Sequence, residues 1–426
     1  MKILLVSHGF PPQGTGGVEL RTSYVAQHLK RRGHEVTVFC RGSDAAHPDY
    51  RVEHLEIYGV PVHRVNYLFR DLDHFEGVYE NRRIHEIFAS ALDEIRPDVV
   101  HIHHLTCLST TIPRLLRERG VPQVMSLHDF WIGCPRGKRM RPPGELCPTI
   151  DRNLCLPCTE GIWGRMVSGL GPLRRRLRIG NPLGNLQVYD ERMRKMLEAP
   201  DLLLTPSDFS RGLFLDFGVD PERIRTLPYG LDRSLFTGFR HEESDDFRFC
   251  FIGSVMPSKG AHVLLEAFRG LDRPGARLDI HGEIVAEHGD EEYPRRLRTA
   301  VEATPLACLH GRFENKDVPA ILARADALVV PSVWYETFCI TIREGFLAGV
   351  PVLASDLGAM SEAIEDGISG LHFRPGDVTD LRLKMRRIAD DPDLRRRLSN
   401  QGHRVKSIED NVLELEEIYG EVAARH

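Results

Sequence analysis

The sequence lacks the features that mark a membrane-spanning or secreted protein. Its 426 residues contain no run of about eighteen apolar side chains, the length that a helix needs to cross a bilayer. After Met1 and Lys2 the chain enters the apolar run 3–6 without a small-residue cleavage site, which predicts a buried strand rather than a signal peptide. We therefore expect a cytoplasmic protein that is at most peripheral to a membrane.

The sequence also lacks a large excess of either positive or negative charge. The 56 basic and 61 acidic residues leave a formal net charge of -5 at neutral pH. Such a balance gives no overall attraction to nucleic acid or to an anionic membrane. We expect no nucleic-acid partner, and any membrane contact has to be local.

What the sequence does contain is an alternation of short Val-, Ile- and Leu-rich runs with longer helix-like segments, typical of parallel sheets with crossover helices. This pattern predicts an α/β protein with two doubly wound, Rossmann-like domains, 1–207 and 208–404, and a final helix in 405–426 that packs back across the boundary. The predicted strands are 3–7, 35–40, 60–65, 99–103, 123–127, 202–206, 247–253, 277–282, 307–311, 327–331 and 350–355.

A proline- and cysteine-rich segment, about 129–190, interrupts the alternation and predicts an insertion in the first domain. Cys134, Cys147, Cys155 and Cys158 are separated by twelve, seven and two residues, and a C-x2-C pair is a typical half of a zinc site. Four thiolates would complete a closed structural zinc site, so a catalytic metal is not expected. Buried free thiols and disulfides are the alternatives.

The same insertion carries a basic cluster, which could bind a membrane surface and a lipid-linked acceptor. A solvated basic face or a phosphate-bearing acceptor explains it equally well, and the insertion as a whole could instead dock a partner protein. The basic residues are Arg165, Arg174, Arg175, Arg176 and Arg178, with Ile162, Trp163, Met166, Val167 and Leu170 between them.

The most informative segment runs from a predicted strand end at Pro331 to a predicted helix start near Thr337. Free amides at a helix start, at the carboxyl end of a parallel strand, suit a phosphate. Glu336 and Glu344 would lie about 80° and 12 Å apart on one helix. They can share a ligand only if Glu336 precedes the helix, where it would bind hydroxyls while Glu344 reaches a ribose. The alternative is that both are solvated surface charges.

This segment resembles the E-x7-E signature of family 4 retaining glycosyltransferases. The resemblance extends over nearly the whole chain and is weakest in the insertion. The other matching segments are Phe251 to Ala267, which resembles a strand, phosphate loop and helix, the glycine loop Gly16-Gly17-Val18-Glu19, Pro206-Ser207, and Pro228 to Asp232. It implies a GT-B fold with a cleft between the domains. It also implies transfer from a nucleotide-diphosphate sugar to a saccharide, lipid-linked or small-molecule hydroxyl, as in cell-envelope or polysaccharide biosynthesis.

The resemblance also implies residue roles. Lys259 neutralises the donor diphosphate, Glu336 holds the transferred sugar and Glu344 binds the ribose. The further donor-side residues are the amides of Thr337, Phe338 and Cys339, the loop glycines Gly16 and Gly17, and His128 beside the sugar. The mechanism implied is a front-face substitution without catalytic metal. His101 and His103 are read as lining or packing residues.

One departure concerns Ser254, where many members of the family have arginine. Arg312 or Arg343 could supply the missing charge, or Ser254 could donate only a hydrogen bond. The strand end at Arg312 also resembles the place where the base stacks. An epimerase or sugar phosphorylase of the same fold, and a non-catalytic nucleotide-sugar-binding relative, are the rival functions.

Overall fold

The computed structural model describes residues 1–426 except 15, 73–74, 143, 167–181 and 287–290. Its strands are β1 Lys2–Ser7, β2 Glu35–Gly42, β3 Val52–Ile57, β4 Val60–Asn66, β5 Val99–Ile102, β6 Gln123–Ser126, β7 Met140–Arg141, β8 Glu145–Leu146, β9 Leu202–Thr205, β10 Ile224–Thr226, β11 Phe247–Ile252, β12 Ala276–His281, β13 Ala307–Gly311, β14 Ala327–Val330, β15 Val352–Ser355 and β16 Leu371–Phe373.

The helices follow the strands in the alternation that the sequence predicts. They are α1 Gly17–Arg31, α2 Arg82–Ile95, α3 Ile112–Glu118, α4 Arg152–Met166, α5 Pro182–Glu198, α6 Asp208–Asp216, α7 Ala261–Arg269, α8 Glu292–Glu302, α9 Val318–Leu322, α10 Ile340–Leu347, α11 Ala359–Ala363, α12 Val378–Asp390, α13 Pro392–Leu398 and α14 Ile408–Ala423. In the described part of the chain, none of them is long and apolar enough for a membrane crossing.

Two large sheets carry the fold, as predicted. The first has the order β10-β9-β6-β5-β1-β2-β4-β3, with only β3 antiparallel to its neighbour, and the second has the order β13-β12-β11-β14-β15-β16 and is parallel throughout. The strand order reverses between β1 and β5 in one sheet and between β11 and β14 in the other. Ligands of such sheets bind outside the carboxyl ends of the strands at these reversals.

The first sheet extends beyond the domain boundary that the sequence predicts. Strand β10 pairs in parallel with β9, and helix α6 lies between them along the chain. The predicted division between residues 207 and 208 therefore falls inside the part of the chain that builds the first sheet. Short strands such as β10 have too few residues for a clear hydrophobic pattern, which is why the sequence did not indicate it.

The final helix α14 packs against the first domain. It buries one face in the cluster that also contains Ile3, Leu5 and Val25 of the first sheet and α1. The Tyr419 hydroxyl is 2.7 Å from Nδ1 of His101, which fixes the helix against β5. The buried positions of α14 are Ile408, Asn411, Val412, Leu415, Ile418, Tyr419 and Val422.

The predicted insertion contains the small antiparallel pair β7–β8 and the helices α4 and α5. The basic cluster at residues 174–178 lies outside the described residues. Nothing in the described part of the chain therefore bears on the membrane contact that this cluster suggests.

Two leucines of α14 provide a matched test of this packing. Leu415 is 1% exposed and Leu413 is 41% exposed. We expect Leu415→Ala to lower the free energy of unfolding by about 2 to 5 kcal/mol, because it leaves a cavity under the first sheet. Leu413→Ala should cost less than about 0.5 kcal/mol. Chemical denaturation followed by circular dichroism measures both, and equal losses would contradict the described orientation of the helix.

Candidate active site

The carboxyl ends of the two sheets meet in the cleft between the domains. The loop after β14 touches the first domain directly: the Thr337 hydroxyl donates to the His128 carbonyl at 2.9 Å, and the Ser207 hydroxyl donates to the Thr337 carbonyl at 2.7 Å. Two predicted site residues of different domains, His128 and Thr337, are thus in direct contact.

Gly260 positions the loop that follows β11. Its φ of +71° favours glycine, and a Cβ added there would lie 1.8 Å from the carbonyl oxygen of Pro331. The Val333 amide donates to the Ser258 carbonyl at 2.9 Å in the same contact. The loop after β11 and the loop after β14 are therefore held against each other, which brings Lys259 next to Glu336.

The Glu336 carboxylate is the most heavily bonded group of the cleft. Its Oε1 accepts from Lys259 Nζ at 2.7 Å, from the Ser332 hydroxyl at 2.8 Å and from Trp334 Nε1 at 2.9 Å, although the residue is only 7% exposed. Burial alone would raise the pKa of Glu336, but the Lys259 ammonium and these hydrogen bonds hold it below its ordinary value. The carboxylate is therefore ionised at neutral pH.

The pKa of Lys259 shifts in the opposite direction from that of Glu336. Burial alone would lower its pKa, yet the Glu336 carboxylate keeps the pKa of Lys259 above its ordinary value. The two residues form a partly buried ion pair that joins the loop after β11 to the loop after β14.

Glu344 lies in α10 and is buried, with no hydrogen-bond partner among the described residues. Burial raises the pKa of its carboxyl to about 7. An unpartnered buried carboxyl costs free energy, which hydrogen-bond donors would offset. Glu336 precedes the helix, as the spacing argument requires.

The helix itself begins later than predicted. It starts at Ile340 rather than near Thr337, because its N-cap Cys339 has a φ of 62°, outside the right-handed helical region. The amides of Thr337, Phe338 and Cys339 thus belong to the preceding loop, and they have no acceptor among the described residues. These N–H groups remain available to an anion.

Arg343 packs against the turn at residues 337–339. Its guanidinium lies 4.0 Å from the centroid of the Phe338 ring and donates to the Phe338 carbonyl and, at 3.3 Å, to the Cys339 carbonyl. Burial lowers its pKa to about 10, so it stays charged. Ser254 and Arg312 are both exposed and have no partner among the described residues.

The glycine loop of the first domain folds around Glu19. A Cβ at Gly16 would lie 2.6 Å from the Glu19 carboxylate, whereas one at Gly17 would meet nothing within 4 Å. His8 Nε2 is 3.2 Å from Glu19 Oε1. Burial alone would raise the pKa of Glu19, but the contact with His8 lowers it below its ordinary value. The sequence indicated the glycines but not that Gly16 makes room for this carboxylate.

His128 lies at the predicted strand end and is buried. Its Nε2 is 3.0 Å from Nδ1 of His103, and its Nδ1 bonds to the Tyr229 hydroxyl. Burial holds the pKa of His128 well below its ordinary value, so the ring is neutral. Both nitrogens are thus occupied by protein groups. Tyr229 was missed, although it lies in the Pro228 to Asp232 segment that the resemblance singled out.

The four insertion cysteines line one cavity of about 40 Å³. In the described part of the chain, no three of their sulfurs lie within 4.8 Å of one another. The predicted metal ligands are therefore gathered at one cavity but not assembled into a closed tetrahedron.

Comparison with protein-family models covers nearly the whole chain. The model described as Glycosyltransferase Family 4 matches residues 15–235, and the one described as Glycosyl transferases group 1 matches residues 237–405. The two matches divide the chain after β10, where the first sheet ends.

Curated relatives are similar over most of their length. A glycogen synthase of Mycobacterium tuberculosis is 25% identical over 410 residues, which cover 92% of this chain and 87% of the relative. An MMP alpha-(1->4)-mannosyltransferase of Mycolicibacterium hassiacum is 25% identical over 422 residues, covering 95% and 93%.

Solved structures agree on the fold. Sucrose-phosphate synthase from Thermosynechococcus elongatus superposes with a TM-score of 0.74 at 18% identity, covering 100% of this chain and 99% of the other. HepE from Anabaena, in complex with UDP and glucose, superposes with a TM-score of 0.68 at 17% identity, covering 99% of each. The predicted family and fold are confirmed: the chain belongs to the family 4 glycosyltransferases, retaining enzymes of the GT-B fold that use nucleotide-sugar donors.

Proposed function

We propose that the contact between the loops after β11 and β14 is the donor site for transfer of a hexose to a saccharide hydroxyl. The observation that carries this proposal is the partly buried Lys259–Glu336 pair beside the amides of residues 337–339, which have no acceptor among the described residues. It offers a carboxylate for sugar hydroxyls next to positive groups for a diphosphate. The names of the glycogen synthase and mannosyltransferase relatives support a hexose donor and a saccharide acceptor.

In the proposed reaction the bond between the anomeric carbon and the diphosphate oxygen breaks as the acceptor hydroxyl attacks from the same face. The departing diphosphate oxygen takes the hydroxyl proton, so a glycoside and a nucleoside diphosphate are formed without an enzyme nucleophile. Lys259 and the amides at 337–339 stabilise the charge that develops on the diphosphate. Glu336 orients the sugar through its hydroxyls.

Glu344 is proposed to bind the ribose. Its carboxyl is buried and has no partner among the described residues, and two ribose hydroxyls would satisfy both oxygens. We propose that His128 lies beside the sugar in a supporting role. Its ring is neutral and is held in place by its bond to Tyr229. Roles for Gly16, Gly17, Ser254 and Arg312 in donor binding stay predictions, as do a lipid-linked acceptor, peripheral membrane contact and a cytoplasmic location.

We also propose that the four insertion cysteines bind a structural zinc ion. Burial raises the pKa of the Cys147 and Cys155 thiols, and the neighbouring cysteine sulfurs raise it further. A cation between them would remove this repulsion and stabilise the thiolates. The shared cavity supports the proposal, and metal binding would draw the sulfurs together.

Glu336→Gln keeps the shape of the side chain but removes its charge. We expect kcat to fall by at least about a hundredfold, since an interaction that acts on the reacting sugar is lost. The Kd of the nucleoside diphosphate should change little. Initial rates and calorimetric titration measure the two effects, with the exposed Glu266→Gln as the matched control. Normal turnover of Glu336→Gln would refute the assignment.

Glu344→Gln tests the raised pKa. Between pH 4.5 and about 7 the unfolded chain releases the Glu344 proton while the folded chain keeps it, so this group makes stability fall as pH rises. The glutamine variant should therefore be more stable than the wild type, by up to about 3 kcal/mol at pH 8 and by less at pH 5.5.

Denaturation at both pH values, again with Glu266→Gln as control, measures the difference. The same variant should weaken nucleoside binding, because one oxygen acceptor for the ribose becomes a donor. A stability difference that does not depend on pH would contradict the buried, unpaired state of Glu344.

The metal proposal predicts about one zinc per chain in protein purified without chelator, measured by plasma mass spectrometry. Cys155→Ser combined with Cys158→Ser should lose the metal and lower the melting temperature. Cys308→Ser, at an exposed cysteine, is the control. Full zinc content in the double variant, or none in the wild type supplied with zinc, would overturn the proposal.

A further inference from the structure

Two neighbouring strands of the second sheet carry a group of side chains that the proposed transfer reaction does not use. Asp279 and His281 lie two residues apart on β12, so they project from the same face of the sheet, and His310 lies beside them on β13. One carboxylate oxygen or ring nitrogen of each residue lies within 4.8 Å of the other two. Carboxylate and imidazole groups are ligands of zinc and similar divalent ions.

The contacts among these three side chains are close to those that a shared metal ion requires. His310 Nε2 is 2.6 Å from Asp279 Oδ1. Zinc bonds of about 2.1 Å at a tetrahedral angle put two ligand atoms about 3.4 Å apart, so this pair has to open by less than about 1 Å. The rings of His281 and His310 lie within 6° of parallel, with centroids 4.2 Å apart. Among the described residues, the His281 ring makes this stacking contact but no hydrogen bond.

A β-bulge places His310 beside His281. Ile280 pairs with Leu309, but the next residue of β12, His281, pairs with Gly311, so His310 is an extra residue in β13. Gly311 has a φ of +77°, which favours glycine. Bulges redirect side chains, and this one lies where the two imidazoles meet.

The surroundings of the group admit a metal ion. The side chains of Asp279 and His310 are 27% and 42% exposed, so an ion can reach them from solvent. Arg324 brings a positive charge near His281, but its Nε donates to Glu242 at 3.2 Å, which offsets that charge.

The first domain carries a second group of the same composition. His54 on β3, His63 on β4 and Glu94 on α2 also have ligand atoms within 4.8 Å of one another. Their two imidazole rings meet edge to face, at 76°, and the carboxylate comes from a helix rather than from the paired strands. In the group on β12 and β13, by contrast, a hydrogen bond already joins the carboxylate to one imidazole. That contact makes it the better candidate for a metal ion.

We propose that Asp279, His281 and His310 form a binding site for a divalent transition-metal ion of the zinc type. The ion takes one carboxylate oxygen and two ring nitrogens, and water completes its coordination. Because β13 is the edge strand of its sheet, the ion ties this edge to β12. The site is distinct from the cysteine cluster and does not depend on the proposed transfer reaction.

His310→Gln tests the proposal, because it removes a ring nitrogen at an exposed position. Equilibrium dialysis against a series of free Zn²⁺ concentrations, followed by plasma mass spectrometry, counts the zinc bound per chain. We expect the variant to bind one zinc fewer than the wild type, with the Kd of that zinc raised at least about tenfold, since even the partners of metal ligands contribute that much. Asp279→Asn should behave in the same way. His54→Gln, at an exposed histidine of the other group, is the matched control and should bind as much zinc as the wild type.

Two further measurements locate the ion. Anomalous scattering at the zinc edge should give a peak among the three side chains of the wild type and none there in His310→Gln. Zinc should also raise the melting temperature of the wild type more than that of His310→Gln. Equal zinc content in the wild type and His310→Gln, or a loss of zinc in His54→Gln instead, would overturn the proposal. The variant with Cys155→Ser and Cys158→Ser should keep this ion, so the two metal proposals fail separately.

Discussion

The ion pair between Lys259 and Glu336 is the interaction on which the rest of the cleft depends. Taking two charges out of water is expensive, and the pair is tolerated because Ser332 and Trp334 add hydrogen bonds to the same carboxylate oxygen. The close approach of Gly260 to Pro331 sets the two loops at the distance that the pair requires. The close packing at Gly260 thus determines where the charges of Lys259 and Glu336 lie.

Much of this site could be predicted from the chain, because its key residues lie within short segments. The strand before Pro331 and the helix after it have clear hydrophobic patterns, and these patterns placed Glu336 ahead of the helix and Glu344 inside it. The start of the helix was predicted three residues early. Hydrophobic periodicity does not show that the backbone of Cys339 is left-handed. Residues other than glycine seldom adopt that backbone conformation, so it is not expected at a cysteine.

The first-domain side was less predictable, because its contacts join residues that are distant in the sequence. The pairing of Glu19 with His8, and of His128 with Tyr229, depends on how loops fold over the carboxyl ends of the sheet. Lys138 of the insertion is a further example: its approach to Met256 crosses between domains. Composition and spacing identify such residues as candidates but give no information on which partner each one meets.

The chain crosses between the domains twice, and the two crossings lie side by side. The Leu231 amide donates to the Lys406 carbonyl at 3.0 Å, and the Ile408 amide donates to the Leu231 carbonyl at 2.9 Å. A Cβ at Gly230 would lie 2.0 Å from the Ser407 carbonyl, so the two segments touch without a side chain between them. Because these hydrogen bonds join the two crossings, any movement of one domain relative to the other has to bend both segments together.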